Sequence, residues 1–230
     1  EGLRMAEEAF NSGWDVQLVI YTENLPPDGI TLVKGFTERG VEVELVAPHV
    51  MQSASNTKSP QGILLVLPTA RITLPLQPDF ILILDNLRDP GNLGTILRTA
   101  AAAGVDAVYI PPRSVDPFSP KVVRAGMGAH FRTPIINASW EMIVRTIEQH
   151  KLQVYLSKAD ASMLYTEADF RQPVALIVGG ESSGPSKQSY AISHQSLQIP
   201  MLNQVESLNA AVAAGVLLYE VHKQRALGAQ

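Results

Sequence analysis

From Phe80 onward, apolar runs of five or six residues alternate with stretches of helical periodicity, and this alternation constrains the fold more than any other feature of the chain. Phe80 to Leu84, Val105 to Ile110, Leu152 to Leu156 and Val174 to Val178 are short and dominated by aliphatic side chains, many of them branched, as buried strands are. Between them, Leu93 to Ala103 reads as a helix ending at Gly104. Trp140, Ile143, Val144 and Ile147 mark one face of another, and Leu208 to Arg225 reads as a long final helix. Strands apolar on both faces and separated by helices belong to a mostly parallel sheet covered on both sides, an α/β fold. Ligands of such sheets sit beyond the carboxyl ends of the strands. Chemistry is therefore expected in the loops after Leu84, Val178 and Ile199.

The first third of the chain follows a different pattern. Leu3, Ala6 and Phe10 have helical spacing before Gly13, and Val16 to Tyr21 reads as a strand. Thr31 to Glu38 reads as a second helix. Val41, Val43 and Leu45 alternate with Glu42 and Glu44 as in a half-buried strand, and Gly62 to Leu67 is another strand. Pro68, Pro75 and Pro78 then punctuate a boundary. The expected division is a first domain at 1–67, a linker at 68–78 and a second domain at 79–230. The 230 residues, 46% of them apolar, suffice for both cores.

The absence of cysteine excludes a disulfide scaffold, a thiolate metal site and a cysteine nucleophile, and no metal ligand set stands out. The longest apolar run, Ala210 to Tyr219, falls short of the roughly 18 residues that a membrane span requires. No basic-then-apolar leader pattern opens the sequence, so a soluble, cytoplasmic protein with no membrane association is expected. That run is apolar on every face. A helix of this kind is buried all round, which points to a second subunit packed against it as well as its own sheet.

Charge is uneven. Residues 1–70 hold 4 basic and 9 acidic side chains, while residues 71–230 hold 14 and 13. Between Arg88 and Arg132 six basic residues (Arg88, Arg98, Arg113, Lys121, Arg124, Arg132) face three acidic ones (Asp89, Asp106, Asp116). Such a run suits either a solvated face or a patch for phosphates. In the first domain a few local side chains, such as Lys34, Arg39 and Lys58, are the expected nucleic-acid contacts.

Three loops carry candidate chemistry. After Val178 the chain reads Gly179-Gly180-Glu181-Ser182-Ser183-Gly184-Pro185-Ser186. Gly180 to Gly184 matches the Gly-x-Ser-x-Gly elbow of serine hydrolases, with Ser182 as nucleophile. That reading requires a histidine and an acid in suitable places, and His194 and His222 are poorly disposed for it. The same stretch approaches a phosphate-binding loop, but Pro185 stands where the lysine belongs, which argues against nucleotide hydrolysis. After Leu84 comes Asp85-Asn86-Leu87-Arg88-Asp89-Pro90-Gly91-Asn92, a polar glycine turn entering a helix with Asn92 as expected N-cap and Arg98 one and a half turns beyond. After Ile199, Pro200 and Met201 lead to Ser207-Leu208-Asn209, with Ser207 as a competent cap of the final helix.

Taken together, Asn92-Leu93-Gly94-Thr95-Ile96-Leu97-Arg98, Gly179-Gly180-Glu181 with Gly184, and Ile199-Pro200-Met201 followed by Ser207-Leu208-Asn209 resemble the three ordered motifs of the SpoU (TrmH) class of SPOUT methyltransferases. The resemblance spans about 80–225. Residues 1–67 are similar to the small ribosomal-protein-like α/β domain that precedes the catalytic domain in many ribosomal RNA members, without its usual first helix.

The resemblance implies a SPOUT domain with a deep trefoil knot, a homodimer, and transfer of a methyl group from S-adenosylmethionine to a ribose 2′-hydroxyl in RNA. Ribosomal RNA is expected over transfer RNA. It further implies cofactor binding around Gly179, Gly180, Ile199, Met201 and Leu208, and catalysis by Arg98 with Asn92, Glu181, Ser207 and Asn209 as orienting groups. The substrate RNA would be gripped by Arg88, Arg113, Lys121, Arg124 and Arg132. An inactive, RNA-binding relative is the further alternative, but such a copy would be expected to have lost Arg98, Glu181 or Asn209, and all three are present.

Overall fold

The computed structural model describes all residues except 70, 71, 181–183, 229 and 230. It divides into two compact units, Glu1–Arg71 and Ile72–Gln230.

The first unit runs α1 (Leu3–Asn11), β1 (Leu18–Tyr21), α2 (Pro27–Glu38), β2 (Glu42–Leu45), α3 (Pro48–Ala54) and β3 (Ile63–Val66). The strands form one sheet in the order β2-β1-β3, with β1 parallel to β2 and antiparallel to β3. Val19, Phe36, Met51 and Ile63 are buried in its core, and Phe10 meets Phe36 edge to face at 5.1 Å. The helix expected from Thr31 starts earlier, at Pro27, because a proline in the first turn loses no hydrogen bond there. The expected half-burial of Val41 to Leu45 is not realised throughout. Val43 is half-buried, but Leu45 is 59% exposed, since β2 lies at the sheet edge with a single neighbour.

The second unit contains β4 (Phe80–Asp85), α4 (Pro90–Ala103), β5 (Ala107–Ile110), α5 (Pro120–Gly126), β6 (Ile135–Asn137), α6 (Trp140–His150), β7 (Gln153–Ser157), β8 (Met163–Leu164), β9 (Val174–Gly179), α7 (Lys187–Ile192), β10 (Gln195–Gln198) and α8 (Ala210–Gly228). Its seven strands pair in parallel throughout, in the order β6-β5-β4-β9-β7-β10-β8. Alternate residues of β4 point to opposite faces. Leu82 and Leu84 pack with Leu93, Ile96 and Leu97 of α4 and Ala214, Leu217 and Leu218 of α8, while Ile81 and Ile83 pack with Ile143 and Ile147 of α6. The mostly parallel sheet is as expected from the alternation, and the strands fully buried on both faces explain its continuous apolar runs.

Connections from β4 lead outward through α4 to β5 on one side, while β7 and β10 lie on the other side of β9. The crevice beyond the carboxyl ends of β4 and β9 is therefore the place where strand order reverses and where open α/β sheets bind ligands. The far end of α8 is fastened to the start of β4. Arg225 donates to the Asp79 carboxylate at 2.5 Å and to the Phe170 carbonyl at 3.0 Å, with its guanidinium 5.1 Å from the centre of the Phe80 ring. Among the described residues no helix is long and apolar enough to cross a membrane.

Candidate active site

Both helices that open onto the crevice start differently from the sequence expectation. The N-cap of α4 is Asp89, whose carboxylate accepts from the Asn92 N–H at 2.7 Å, and Pro90 follows at the first helical position. Asn92 thus stands inside the first turn, and its side chain is released from capping. It accepts from Asn209 Nδ2 at 3.0 Å. Asn209, and not Ser207, caps α8, its Oδ1 accepting from the N–H groups of Ala211 at 2.9 Å and Val212 at 3.3 Å. A single amide therefore closes α8 with its oxygen and reaches α4 with its nitrogen. Two candidate residues 117 positions apart in sequence are joined directly.

A cavity of about 310 Å³ lies beside this pair. Gly179, Gly180, Ile199, Met201 and Leu208 all line it, as does Ser207. Val178, Ala210 and Ala213 extend the apolar wall, and Ser157, Lys158, Asp160 and Tyr190 form a polar one. The volume and the mixture suit a nucleoside-sized ligand. The two glycines are required sterically. A Cβ on Gly180 would stand 2.1 Å from the Asn86 carbonyl oxygen, and one on Gly179 would stand 2.8 Å from the Pro185 nitrogen.

A second hollow of about 180 Å³, lined by Asn86, Leu87, Arg88, Asp89 and Asn92, shares Gly180 and Ala210 with the first. Two ligands could therefore meet across one wall. Arg88 is exposed there. The loop that carries Arg113 is sewn to it, since Ser114 Oγ accepts from the Leu87 N–H at 3.2 Å and donates to the Leu84 carbonyl at 3.0 Å, while the Val115 N–H donates to the Leu87 carbonyl at 2.7 Å. Arg113 itself is exposed and held at φ 82, a conformation that a non-glycine residue seldom adopts and that clusters at ligand sites.

The other basic candidates are more scattered. Lys121 is exposed in the first turn of α5 and Arg124 is half-buried on the same helix. Arg132 donates to the Gly128 carbonyl at 3.0 Å, closing a local turn. Arg98 is exposed on α4, which begins at Pro90, so it lies over two turns in; by helical geometry it projects about 120° around the axis from Asn92. It has no hydrogen bond or ion pair among the described residues. Glu181 and Ser182 lie outside the described residues. The hydrolase alternative gains no support. His194 Nδ1 accepts from the Val154 N–H at 2.9 Å, and His222 lies within α8 beside Tyr219.

Sequence reasoning did not single out Asp85, Lys158, Asp160 or Tyr190. The last three give no local signal, because only the order of β7, β9 and β10 places them on one cavity. For Asp85 there was a signal, a carboxylate closing an otherwise apolar strand. Lys158 and Asp160 form an ion pair of 3.1 Å; each side chain holds the other's charge, raising the ammonium pKa and lowering the carboxyl pKa.

Comparison with known proteins bears on this arrangement. Residues 79–219 match the family model of the SpoU rRNA Methylase family, and residues 1–65 match that of the MRM3-like substrate binding domain. The chain is 30% identical to the 23S rRNA (guanosine(2553)-2′-O)-methyltransferase RlmP of Bacillus subtilis, over 96% of this chain and 86% of that protein. It is 32% identical to the mitochondrial rRNA methyltransferase 3 of Homo sapiens, over 97% of this chain and 67% of that one. Its fold superposes on the SpoU methyltransferase AviRb from Streptomyces viridochromogenes in complex with the cofactor AdoMet, with a TM-score of 0.86, 28% identity and coverage of 99% and 90% of the two chains. The AdoMet-bound rRNA methyltransferase from Sinorhizobium meliloti gives a TM-score of 0.84 at 31% identity, covering 97% and 85%. With a catalytic-domain match over more than half its length and full-length relatives at this identity, the chain belongs to the SpoU rRNA methylase family.

Proposed function

We propose that this protein transfers a methyl group from S-adenosylmethionine to a ribose 2′-hydroxyl in RNA, and that ribosomal RNA is the substrate. The observation that carries this reading is the pair of hollows sharing Gly180 and Ala210, one glycine-walled and largely apolar, the other flanked by Arg88 and Asn92. Close-set glycines permit backbone approach to a nucleoside, and Ile199, Met201 and Leu208 supply apolar surface for adenine and a thioether chain. When bound, the cofactor supplies the electrophilic methyl carbon. The chain's part is to align a poor nucleophile with it and to exclude water. Arg98 grips the phosphate next to the target ribose and stabilises the charge developing on its oxygen, because a guanidinium is not deprotonated near neutral pH and is a weak choice of base. Asn92, Glu181, Ser207 and Asn209 orient substrate and cofactor. Arg113, Lys121, Arg124 and Arg132 add phosphate contacts beside Arg88.

The same reading includes a homodimer built on α8. Val212 and Tyr219 are 53% and 51% exposed, and half-buried Val216 lies between them, so one stripe of this helix is left uncovered by its own chain. It also includes the family's knot in the segment from β9 to α8, a cytoplasmic location, and a first unit that selects RNA. Calorimetry with S-adenosylmethionine and mapping of ribose methylations in cellular RNA with and without the gene test the proposal together. Micromolar cofactor binding and loss of a ribosomal methylation are expected. A protein that binds no cofactor, or a methylation map unchanged by removal of the gene, refutes it.

A further inference from the structure

We propose that Asp85 is a positioning residue that fixes Gly180 and Ser186 beside the cofactor cavity and couples them to the loop facing the RNA, an inference that rests on the methyltransferase reading above. Asp85 ends the central strand β4 and is 1% exposed, yet among the described residues no cation pairs with it. Its Oδ2 accepts from the Ser186 N–H at 2.6 Å and from Ser189 Oγ at 2.7 Å. Its main-chain carbonyl accepts from the Gly180 N–H at 2.8 Å. One residue thus fastens Gly180 and Ser186, on either side of the cavity-lining Gly184 and Pro185.

Asn86 completes the clasp. Held at φ 57, it donates from Nδ2 to the Gly184 carbonyl at 3.4 Å, and its own carbonyl occupies the space beside Gly180 that a Cβ would need. From Asn86 the chain runs directly into the loop bearing Arg88 and reaches Asn92. Asp85 and Asn86 thus join the cofactor side to the substrate side by two consecutive residues.

A carboxylate at this position carries a cost. Burial of an unpaired carboxylate is costly, and Asp85 Oδ1 has no hydrogen-bond partner among the described residues. An apolar side chain would continue the run of Phe80 to Leu84 but leave the Ser186 N–H and the Ser189 hydroxyl without this acceptor. What the carboxylate supplies is an acceptor aimed at Ser186 and Ser189.

The test is calorimetric titration of the whole two-unit chain with S-adenosylmethionine, alongside steady-state kinetics. Asp85→Ala should weaken cofactor affinity by about tenfold or more, the scale of leaving buried donors unpaired, and Ser189→Ala by about two- to fivefold. Asp85→Asn should stay within about threefold of wild type, since an amide oxygen can accept the same two bonds. Ile147→Ala, a core cut on the opposite face of the sheet, should lower the melting temperature and leave affinity unchanged. In Asp85→Ala the KM for cofactor should rise more than kcat falls. Wild-type affinity in Asp85→Ala, or an Asp85→Asn variant as impaired as Asp85→Ala, overturns the assignment. Should Asp85→Ala fail to fold, wild-type affinity in Ser189→Ala overturns it instead. A wild-type chain that binds no cofactor refutes the methyltransferase reading itself, a result distinct from normal binding by these variants.

Discussion

Arg98 and Gly180 mark two ways in which one residue can decide activity. In the proposed mechanism Arg98 acts on substrate, so Arg98→Ala is expected to abolish methyl transfer while cofactor affinity stays within a few fold; loss of cofactor binding in step with activity would contradict that role. Arg98→Lys should fail nearly as badly, because a point charge does not replace a planar fork of donors. Gly180 acts by absence. With the Asn86 carbonyl where its Cβ would fall, Gly180→Ala should abolish cofactor binding by forcing β4 and β9 loops apart, and calorimetry that detects normal binding would show that the loops yield. His130 offers a different measurement. Burial holds its imidazole below the ordinary pKa, against the opposing pull of the Pro117 carbonyl, 2.7 Å from Nε2, and the nearby charge of Asp116. The unfolded chain, with a histidine pKa near 6.5, binds a proton that the folded chain does not, so stability falls as pH drops below that value and levels off beneath the folded pKa. Melting curves at about pH 7.5 and pH 5 should separate, and His130→Gln should shrink the separation; equal separation in both proteins assigns it to other groups.

Among the elements, α8 does the most. Its inner face buries Ala214, Leu217 and Leu218, its start presents Asn209 to Asn92, and its outer stripe carries Val212 and Tyr219. Because Val212 is 53% exposed in the single chain, Val212→Glu should leave the fold intact and dissociate the dimer, as light scattering at micromolar concentration would record. A monomeric wild type would remove the basis for that expectation. The helix also shows what was legible in sequence and what was not. Its apolar decade and those of the strands are local patterns, so β4, β9 and α8 could be read to within a few residues. Its cap could not, because Ser207 and Asn209 are both competent and only the packing of α8 beside α4 selects the one that also meets Asn92. The same holds at α4, where Pro90 shifts the start back to Asp89. Strand β10, Gln195–Gln198, carries one buried apolar residue, Leu197, and has no periodicity to find; it exists because β7 offers it an edge. The cavity residues were found through motif resemblance, and local patterning alone would have missed them.

At the scale of the whole molecule, an acidic unit precedes a nearly charge-balanced one. With 4 basic against 9 acidic residues over 1–70, the first unit is poorly suited to general phosphate binding. Its free basic groups are fewer still, since Arg4 pairs with Glu7 and Glu8 and the Arg39 guanidinium lies 3.4 Å from the centre of the Phe10 ring and donates to the Phe10 carbonyl at 2.6 Å, leaving Lys34 and Lys58 exposed. Deleting residues 1–67 should therefore preserve cofactor binding and the salt dependence of RNA binding while discrimination between target and other RNA collapses. Loss of most salt-dependent affinity for every RNA would make the first unit an electrostatic anchor instead. The bond between Asn92 and Asn209 has one more consequence, for the timing of synthesis. Asn209 is made 117 residues after its partner, and domains generally fold as units in the order they leave the ribosome. The first unit can be complete while its catalytic neighbour still lacks α8. A nascent chain whose α8 has not yet emerged is thus able to fold its first unit but not to join Asn209 to Asn92, so the site closes only after α8 has been made.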